Sequence, residues 1–255
     1  MHKELRELWK KAFGDSDAFL DIFQSTAFSK DRCQYLTEDG HIVSALYWFD
    51  CTLEDKKIAY IYAVATDEKY RGKGLCHKLM EQTHKHLKEL GYIGAILSPA
   101  TDDLIRFYEK MGYEICTYVD EITFDEDTLV ACDNNFSSKT EVLSLRKISK
   151  KEFSELRQDF LPENALLQEH ENLDFLETQA DFYIGNGFLL TSRKEKDKLM
   201  GLEFLGDTTL LPSILQSLNC THGTIRTVGN SKPLGMYYPL TEDSLKPSYL
   251  GFIFD

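Results

Sequence analysis

The most informative segment of the sequence is Ile61-Tyr62-Ala63-Val64-Ala65-Thr66-Asp67-Glu68-Lys69-Tyr70-Arg71-Gly72-Lys73-Gly74-Leu75-Cys76. The apolar run at its start predicts a buried strand, and the apolar periodicity after it predicts a helix from about Gly74 to Leu90. The segment Arg71-Gly72-Lys73-Gly74, at the end of the loop between them, contains two glycines and two cations. This order of strand, loop and helix is typical of a phosphate-binding site.

The chemistry of the loop suits a phosphate group. Backbone N–H groups of a first helical turn have no partner within the helix, and the helix dipole adds partial positive charge there. Gly72 and Gly74 let the backbone approach an anion closely. Arg71 and Lys73 add local positive charge in a chain whose net charge is negative. The structural alternative is a strand-to-helix turn that needs glycines for its shape alone.

Two other phosphate-binding motifs do not match this loop. A Walker loop has a lysine directly after its last glycine, whereas Gly74 is followed by Leu75. A dinucleotide fingerprint needs a third glycine at the position that His77 occupies. Both nucleotide-binding classes are therefore disfavoured.

Composition restricts the class of protein further. A length of 255 residues suits two domains, and 42% apolar residues exclude wholesale disorder. The net charge of −13 disfavours nucleic acid and anionic membranes as partners and favours cationic ones. No apolar run reaches the roughly 20 residues of a membrane span, and charges in the first twenty residues argue against a secretory signal. We therefore expect a cytoplasmic protein.

The cysteines and histidines give no metal signature. The six cysteines are far apart and include no C-x-x-C pair, which predicts reduced thiols rather than zinc ligands or disulfides. We expect no metal site.

The chain is predicted to contain two domains, residues 1–128 and residues 140–255, joined by a polar, acidic segment over 125–139. The Asp39-Gly40 pair between two strand-like runs predicts a hairpin. In the second domain, the patterns predict a helix around Ala165–Phe182 and a strand near Tyr249–Phe254. Both domains are mixed α/β.

Two motifs resemble the GNAT family of acyl-CoA N-acetyltransferases. The family signature Q/R-x-x-G-x-G/A is similar to Arg71–Cys76, and a second hallmark, a helix ending in FYEKxGY, is similar to Phe107–Tyr113. The resemblance is sharpest over 57–124 and extends over 1–124. It implies an α/β (α+β) fold with a mixed, mostly antiparallel central sheet flanked by helices.

The resemblance also implies acetyl-CoA as co-substrate. Its pyrophosphate would lie on Arg71, Gly72, Lys73, Gly74, Leu75 and Cys76. The strand edge at Val64, Ala65 and Thr66 would pair with the pantetheine, and an N–H group there would polarise the thioester carbonyl. The family has Gly or Ala where Cys76 stands, so we expect tighter packing against the diphosphate and weaker CoA binding.

Tyr108 occupies the position of the family's general acid. A phenol with a pKa of about 10 stays protonated at neutral pH and can donate its proton to a departing thiolate. The structural alternative is that Tyr108 is one aromatic residue on the core face of an amphipathic helix.

The sequence does not identify a general base, because the strand before the loop contains no acidic residue. Tyr60 and Tyr62 alternate with Ile61, so they would share one face, where they could order a water molecule or stack on a cationic substrate. Packing is the alternative role for both. A rival mechanism uses Cys76 as a nucleophile, because a helix start lowers the pKa of a thiol.

The second half has no equivalent of the cationic loop. Its helix near Thr209 follows Leu205-Gly206-Asp207-Thr208, and an acidic residue there would repel a pyrophosphate. The order of its elements suggests a degenerate second acetyltransferase-like copy, similar to the enhanced-intracellular-survival acetyltransferases. In that group the terminal carboxylate acts as base, which makes Asp255 a candidate; a packed terminal strand is the alternative.

These observations predict an N-acetyltransferase that moves an acetyl group from acetyl-CoA directly to a primary amine, with Tyr108 as general acid. The acceptor would be a small molecule or a peptide, and the oligomeric state stays open. The first alternative is a CoA-binding sensor without turnover, suggested by Cys76 and the missing carboxylate. The second is a structural interaction module.

Overall fold

The computed structural model describes residues 1–125 and 144–254. The predicted acidic segment after Asp125 and the candidate residue Asp255 lie outside the described residues. The helices and strands, in chain order, are α1 Lys3–Phe13, α2 Asp17–Thr26, β1 Cys33–Glu38, β2 His41–Leu53, β3 Lys56–Thr66, α3 Leu75–Glu89, β4 Gly94–Leu97, α4 Asp102–Glu109, β5 Glu114–Phe124, β6 Leu145–Ile148, α5 Lys150–Phe160, β7 Leu167–Gln168, α6 Glu171–Glu177, β8 Asp181–Gly185, β9 Phe188–Glu195, β10 Lys198–Gly206, α7 Leu211–Ser217, β11 His222–Val228 and β12 Lys232–Pro239.

The chain divides into two compact units, each made of three segments. The first unit contains Met1–Cys116, Leu166–Phe175 and Gly235–Ser248, and the second contains Thr117–Ala165, Leu176–Leu234 and Tyr249–Asp255. Because the units interleave along the sequence, the continuous domains 1–128 and 140–255 stay a prediction.

In the first unit, the sheet is mainly antiparallel. β1 pairs antiparallel with β2, β2 antiparallel with β3, and β3 parallel with β4. The end of β12 pairs antiparallel with β4. The predicted hairpin is confirmed: Glu38 pairs with His41, and Asp39 and Gly40 form the turn with positive φ angles of 50° and 80°.

Two groups of apolar side chains cover the two faces of β2 and β3. Ile61 packs with α3 and α4, in a cluster that includes Leu79 and Tyr108. On the opposite face, Tyr62 lies 5.7 Å from Trp9 and 5.9 Å from Phe23 between ring centroids. α1 and α2 supply these rings. Each buried side chain of this size stabilises the fold by about 1.5–3 kcal/mol.

The second unit repeats the order of elements seen in the first. β8 pairs antiparallel with β9, and β9 pairs antiparallel with β10. β10 pairs parallel with β11, and α7 connects these two strands. The first unit has the same pattern in β1, β2, β3, α3 and β4. β6 pairs with β8, and residues Val119–Phe124 of β5 pair with β11.

Two predicted elements of the second half are wrong. The helix predicted around 165–182 is replaced by β7, α6 and β8, because His170 adopts a positive φ of 49° that a helix does not tolerate. Residues 249–254 form no strand among the described residues apart from one bridge between Ala165 and Tyr249. Gly251 has a φ of 89°, and the apolar residues are buried by packing rather than by strand pairing.

No helix in residues 1–125 and 144–254 combines the length and the apolar character that a bilayer span requires.

Candidate active site

A bulge interrupts β3 just before the cationic loop. Ala45 pairs with Ala65 and Tyr47 pairs with Tyr62, so Ala63 and Val64 together lie opposite a single residue of β2. Ala63 has a φ of 50°, an unfavourable value for a residue with a Cβ atom. Such an outlier is tolerated when the surrounding structure holds it, and outliers of this kind cluster at functional sites.

The pairing of β3 with β4 ends before the bulge. Their ladder runs from Ile58–Gly94 to Tyr60–Ile96, and no further pair is recorded within the described part of the chain. β3 continues to Thr66. The edge of β3 beyond Tyr60 is therefore accessible to an extended ligand that pairs with a strand.

The loop after β3 leads directly into α3. Asp67 accepts a hydrogen bond from the backbone N–H of Lys69 and so closes a short 3-10 turn over Glu68–Tyr70. Gly72 and Gly74 adopt left-handed φ angles of 77° and 74°. A Cβ atom at either glycine would meet nothing within 4 Å. These positions need glycine for the backbone conformation, and the space beside them is open.

α3 begins without a side-chain cap. Gly74 is its N-cap residue and offers no side chain, and the first helical hydrogen bond runs from the N–H of Lys78 to the carbonyl of Gly74 over 3.0 Å. The N–H groups of Leu75, Cys76 and His77 precede that bond, so they have no acceptor within the helix. This helix start can therefore receive an anion.

Both cations of the loop are exposed. The Nε atom of Arg71 donates to the carbonyl of Thr66 over 3.2 Å, and its Nη1 lies 3.7 Å from the Oε1 of Glu68. The Nζ atom of Lys73 lies 4.8 Å from the ring centroid of Tyr70. Surface ion pairs of this kind contribute only about 0–1 kcal/mol, so both side chains can turn toward a ligand at little cost.

Tyr108 is buried in the core cluster that also contains Val64, Leu75 and Cys76. Burial raises the pKa of its phenol above the usual value, so the group is protonated at neutral pH. A buried tyrosine hydroxyl usually has a hydrogen-bond partner. The hydroxyl of Tyr113 has one in His84, whereas no hydrogen bond joins the Tyr108 hydroxyl to another described residue.

Cys76 has the character of a neutral thiol. Burial raises its pKa to about 11, which outweighs the effect of the helix start expected from the sequence. A thiol with this pKa is almost entirely protonated near neutral pH, and the thiolate is the nucleophilic form. The structure therefore disfavours Cys76 as a nucleophile.

Tyr60 and Tyr62 lie on the same face, in an aromatic cluster. Phe49 is 6.0 Å from Tyr60 and 5.4 Å from Tyr62 between ring centroids. Tyr60 is buried and Tyr62 is half-buried. These contacts favour a packing role for Tyr60 and Tyr62.

Side chains of α1 pack closely against the bulge and leave no space for a water molecule there. The residues that meet are Leu5, Leu8, Trp9, Ala45, Tyr47, Ala63 and Ala65. Trp9 is the largest of these side chains and is almost fully buried. The packing of α1 therefore supports the bulged segment of β3.

The sequence predicts the loop and Tyr108 as site residues, which stays a prediction, and it gives no indication of the bulge or of the packing of Trp9 beside it. Ala63 carries no local signal, because alanine occurs in strands and helices alike. The position of Trp9 beside the bulge depends on how α1 packs against β3.

Among the described residues, no group of three His, Cys, Asp or Glu side chains is arranged to hold a metal ion.

Comparison with known families gives one match for the first part of the chain. The family model described as "Acetyltransferase (GNAT) domain" matches residues 2–116. No curated protein sequence matches the chain with significance.

Solved structures share the fold over most of the chain. A GCN5-related N-acetyltransferase from Anabaena variabilis has a TM-score of 0.70 and 16% identity, covering 94% of this chain and 71% of that one. Eis1 from Mycobacterium abscessus has a TM-score of 0.69 and 9% identity, covering 94% and 71%. A tandem GNAT protein from the clavulanic acid biosynthesis pathway has a TM-score of 0.53 and 10% identity, covering 90% and 89%. At these identities the likeness concerns the fold, and it confirms the predicted α/β class.

Proposed function

We propose, from the match of residues 2–116 to the acetyltransferase (GNAT) domain model, that the protein transfers an acetyl group from acetyl-CoA to a primary amine. The acceptor is a small molecule or a peptide. The observation that supports this most strongly is the bulged strand β3 with an accessible edge, which leads through an exposed cationic loop into an uncapped helix.

Acetyl-CoA would bind along this path. The uncapped N–H groups at the start of α3 and the cations Arg71 and Lys73 would hold the pyrophosphate. Gly72 and Gly74 leave open space where the phosphates would lie. The pantetheine would pair with the edge of β3 beyond the bulge, over Val64, Ala65 and Thr66. Leu75 and Cys76 would contribute backbone N–H groups.

The chemistry follows from this placement. The acceptor amine loses a proton and its nitrogen attacks the thioester carbon; a new N–C bond forms and the C–S bond breaks. An N–H group of the bulged strand would stabilise the oxyanion. Tyr108 would donate its phenolic proton to the departing thiolate and recover a proton from the nitrogen by way of solvent, so that one proton is released per turnover. The general base is not assigned.

The second unit would be a degenerate copy of the first. β10 contains a bulge at the equivalent place, because Gly201 pairs with Ser192 and Glu203 pairs with Thr191. Glu203 lies in the strand just after that bulge and forms a buried pair with Arg157 of α5, with two N–O distances of 2.8 Å. Buried ionic side chains at this place are incompatible with a bound thioester.

The loop of the second unit also differs. α7 starts with Leu210 as its N-cap residue and no side-chain cap, and it is only seven residues long. The loop before it contains Asp207, which caps a 3-10 turn, and no lysine or arginine. A pyrophosphate would meet a negative charge there. We therefore place a single acetyl-CoA site in the chain, in the first unit.

The test is release of free thiol from acetyl-CoA across a panel of primary amines. The expected result is amine-dependent release that falls about 10²–10⁴-fold in kcat for Tyr108→Phe, the usual contribution of a general acid. Tyr35→Phe is the matched control, because Tyr35 is a half-exposed tyrosine of β1 outside this cluster. A protein that binds CoA but never releases thiol with any amine would be the sensor instead.

A further inference from the structure

Tyr70 ends the 3-10 turn that precedes the cationic loop segment, and it is held there from two sides. Its backbone N–H donates to the carbonyl of Asp67 over 2.9 Å. Its ring is half-buried and packs against the core cluster that contains Leu75 and Tyr108. The position of this ring is therefore fixed by the fold of the first unit.

The ring of Tyr70 also contacts the ammonium group of Lys73. The Lys73 Nζ atom lies 4.8 Å from the ring centroid, within the roughly 6 Å over which a ring face attracts a cation. Gly72 turns the backbone between the two residues with a left-handed φ of 77°. Glycine adopts this conformation without steric cost, so the lysine side chain can lie over the tyrosine.

This contact leaves the positive charge of Lys73 without a counterion. Arg71 lies 3.7 Å from the Oε1 of Glu68, whereas Lys73 pairs with no carboxylate in residues 1–125 and 144–254. A carboxylate partner would compete with a phosphate for the same charge. An aromatic ring does not compete in this way, because an ammonium group has three N–H donors and can contact a ring and an anion at once.

Lys73 is also located where the proposed diphosphate site requires a cation. It directly precedes Gly74, the N-cap residue of α3, at which the unpartnered backbone N–H groups begin. A free lysine side chain has high rotamer entropy, part of which is lost when it binds a ligand. A ring that restricts the lysine before binding reduces this loss and so favours the bound state.

We infer that Tyr70 is a positioning residue for acetyl-CoA, because its ring holds the Lys73 ammonium beside the start of α3, where the diphosphate binds. This inference rests on the proposed acetyltransferase function, which places the diphosphate at this loop. Tyr70 acts through Lys73 and not through a contact of its own with the ligand. It therefore contributes to CoA affinity only while residue 73 carries a positive charge.

A double-mutant cycle on CoA affinity tests this coupling. Tyr70→Phe keeps the aromatic face, whereas Tyr70→Leu keeps an apolar side chain for the core cluster and removes the ring. Both are made in the wild-type protein and in Lys73→Ala, and CoA binding is measured by calorimetry at low salt. Melting temperatures identify the folded variants, and Tyr70→Met replaces Tyr70→Leu if the latter does not fold.

The ring and the charge are expected to depend on each other. Tyr70→Leu should weaken CoA binding by about two- to fivefold, which corresponds to a cation–π contact at an exposed site. Tyr70→Phe should bind CoA as the wild-type protein does. Lys73→Ala should weaken binding by itself, and Tyr70→Leu should then cause no further loss.

Lys57→Ala is the matched control for the loss of a lysine that contacts a tyrosine ring. The Lys57 Nζ atom lies 5.7 Å from the ring centroid of Tyr92. Lys57 is the second residue of β3, at the end of the strand away from the cationic loop. Its replacement should leave the affinity for CoA unchanged.

Five results would overturn the inference: wild-type affinity in Tyr70→Leu, the same loss from Tyr70→Leu with and without Lys73, a loss in Tyr70→Phe as large as in Tyr70→Leu, wild-type affinity in Lys73→Ala, or an equal loss in Lys57→Ala. CoA binding by the wild-type protein and amine-dependent thiol release would still support the proposed function in each case. Absence of CoA binding by the wild-type protein would instead contradict the proposed function, and the inference with it.

Discussion

The hydroxyl of Tyr113 lies 2.7 Å from the Nε2 atom of His84, inside the core that also holds Tyr108. The Tyr113 ring is 5.7 Å from the Tyr108 ring in an edge-on arrangement. Tyr238 stacks on His84 at 4.1 Å between ring centroids. This arrangement fixes the ring of Tyr113, and through it the orientation of the proposed general acid.

His84 makes stability depend on pH. Burial lowers its pKa from 6.5 to about 4, so the unfolded chain binds a proton at a higher pH than the folded protein. Stability is therefore fully present above the unfolded pKa and is lost as the pH falls toward 4. From this shift we expect a loss of about 2 kcal/mol in the free energy of unfolding between about pH 7 and about pH 5.

Urea unfolding of the wild-type protein and of His84→Gln measures this contribution. Glutamine stays neutral and can still bond to the Tyr113 hydroxyl, so the variant should lose less stability over the same pH range. An equal pH dependence in both proteins would show that His84 does not titrate as its burial requires.

A comparison of two glycines separates backbone strain from ligand contact. Gly74 and Gly40 have similar φ angles of 74° and 80°, and a Cβ atom at either would meet nothing within 4 Å. Gly74→Ala and Gly40→Ala should therefore each cost about 1–2 kcal/mol in stability. Only Gly74→Ala should weaken CoA binding, by roughly tenfold, since its methyl group would enter the phosphate space. Calorimetry with CoA checks this, and equal CoA affinity in both variants would argue against the loop as the phosphate site.

The buried pair of Arg157 and Glu203 predicts an asymmetric mutational response. Both side chains are at most 4% exposed, and the hydroxyl of Tyr249 also donates to Glu203 over 3.2 Å. Glu203→Gln removes the carboxylate that pairs with the buried Arg157 and should cost about 3–5 kcal/mol. Replacing both residues by Met and Leu should cost less. Each variant that still folds should bind CoA with unchanged affinity. Loss of CoA binding in a folded double variant would contradict a single site in the first unit.

Cys76 provides a test of direct transfer. With a thiol pKa of about 11, it should react slowly with iodoacetamide near neutral pH. Cys76→Ala should keep kcat within a few-fold and bind CoA at least as well as the wild-type protein, because alanine is the ordinary residue there. Detection of an acetylated Cys76 intermediate by mass spectrometry, together with an inactive Cys76→Ala, would establish the ping-pong route instead.

Local sequence signals predicted the backbone conformations of the cationic loop and of the hairpin turn. The glycines of the cationic loop need left-handed φ angles, and Asp39-Gly40 forms the hairpin turn, as expected from residues that tolerate positive φ. The bulge at Ala63 was not predictable, because an alanine in that conformation is held there by packing from elsewhere in the chain. The contact of Trp9 with Asp15 depends on how two helices meet, which the helical periodicity alone does not specify.

The errors in the second half have a related cause. Apolar residues over 165–182 and 249–254 marked burial correctly, since Leu166, Phe175 and Phe252 are fully buried. Burial does not determine whether a segment is helix, strand or irregular. Left-handed residues such as His170 and Gly251 decided the conformation instead.

One CoA molecule is expected to bind at the cationic loop of the first unit. Calorimetric titration of the protein with CoA at low salt measures this, with Arg71→Ala/Lys73→Ala as the comparison. We expect one molecule bound per chain and a loss of affinity of at least tenfold in the double variant, since two charge-assisted contacts contribute about 1.5–3 kcal/mol each. No binding by the wild-type protein, two molecules per chain, or unchanged affinity in the variant would contradict it.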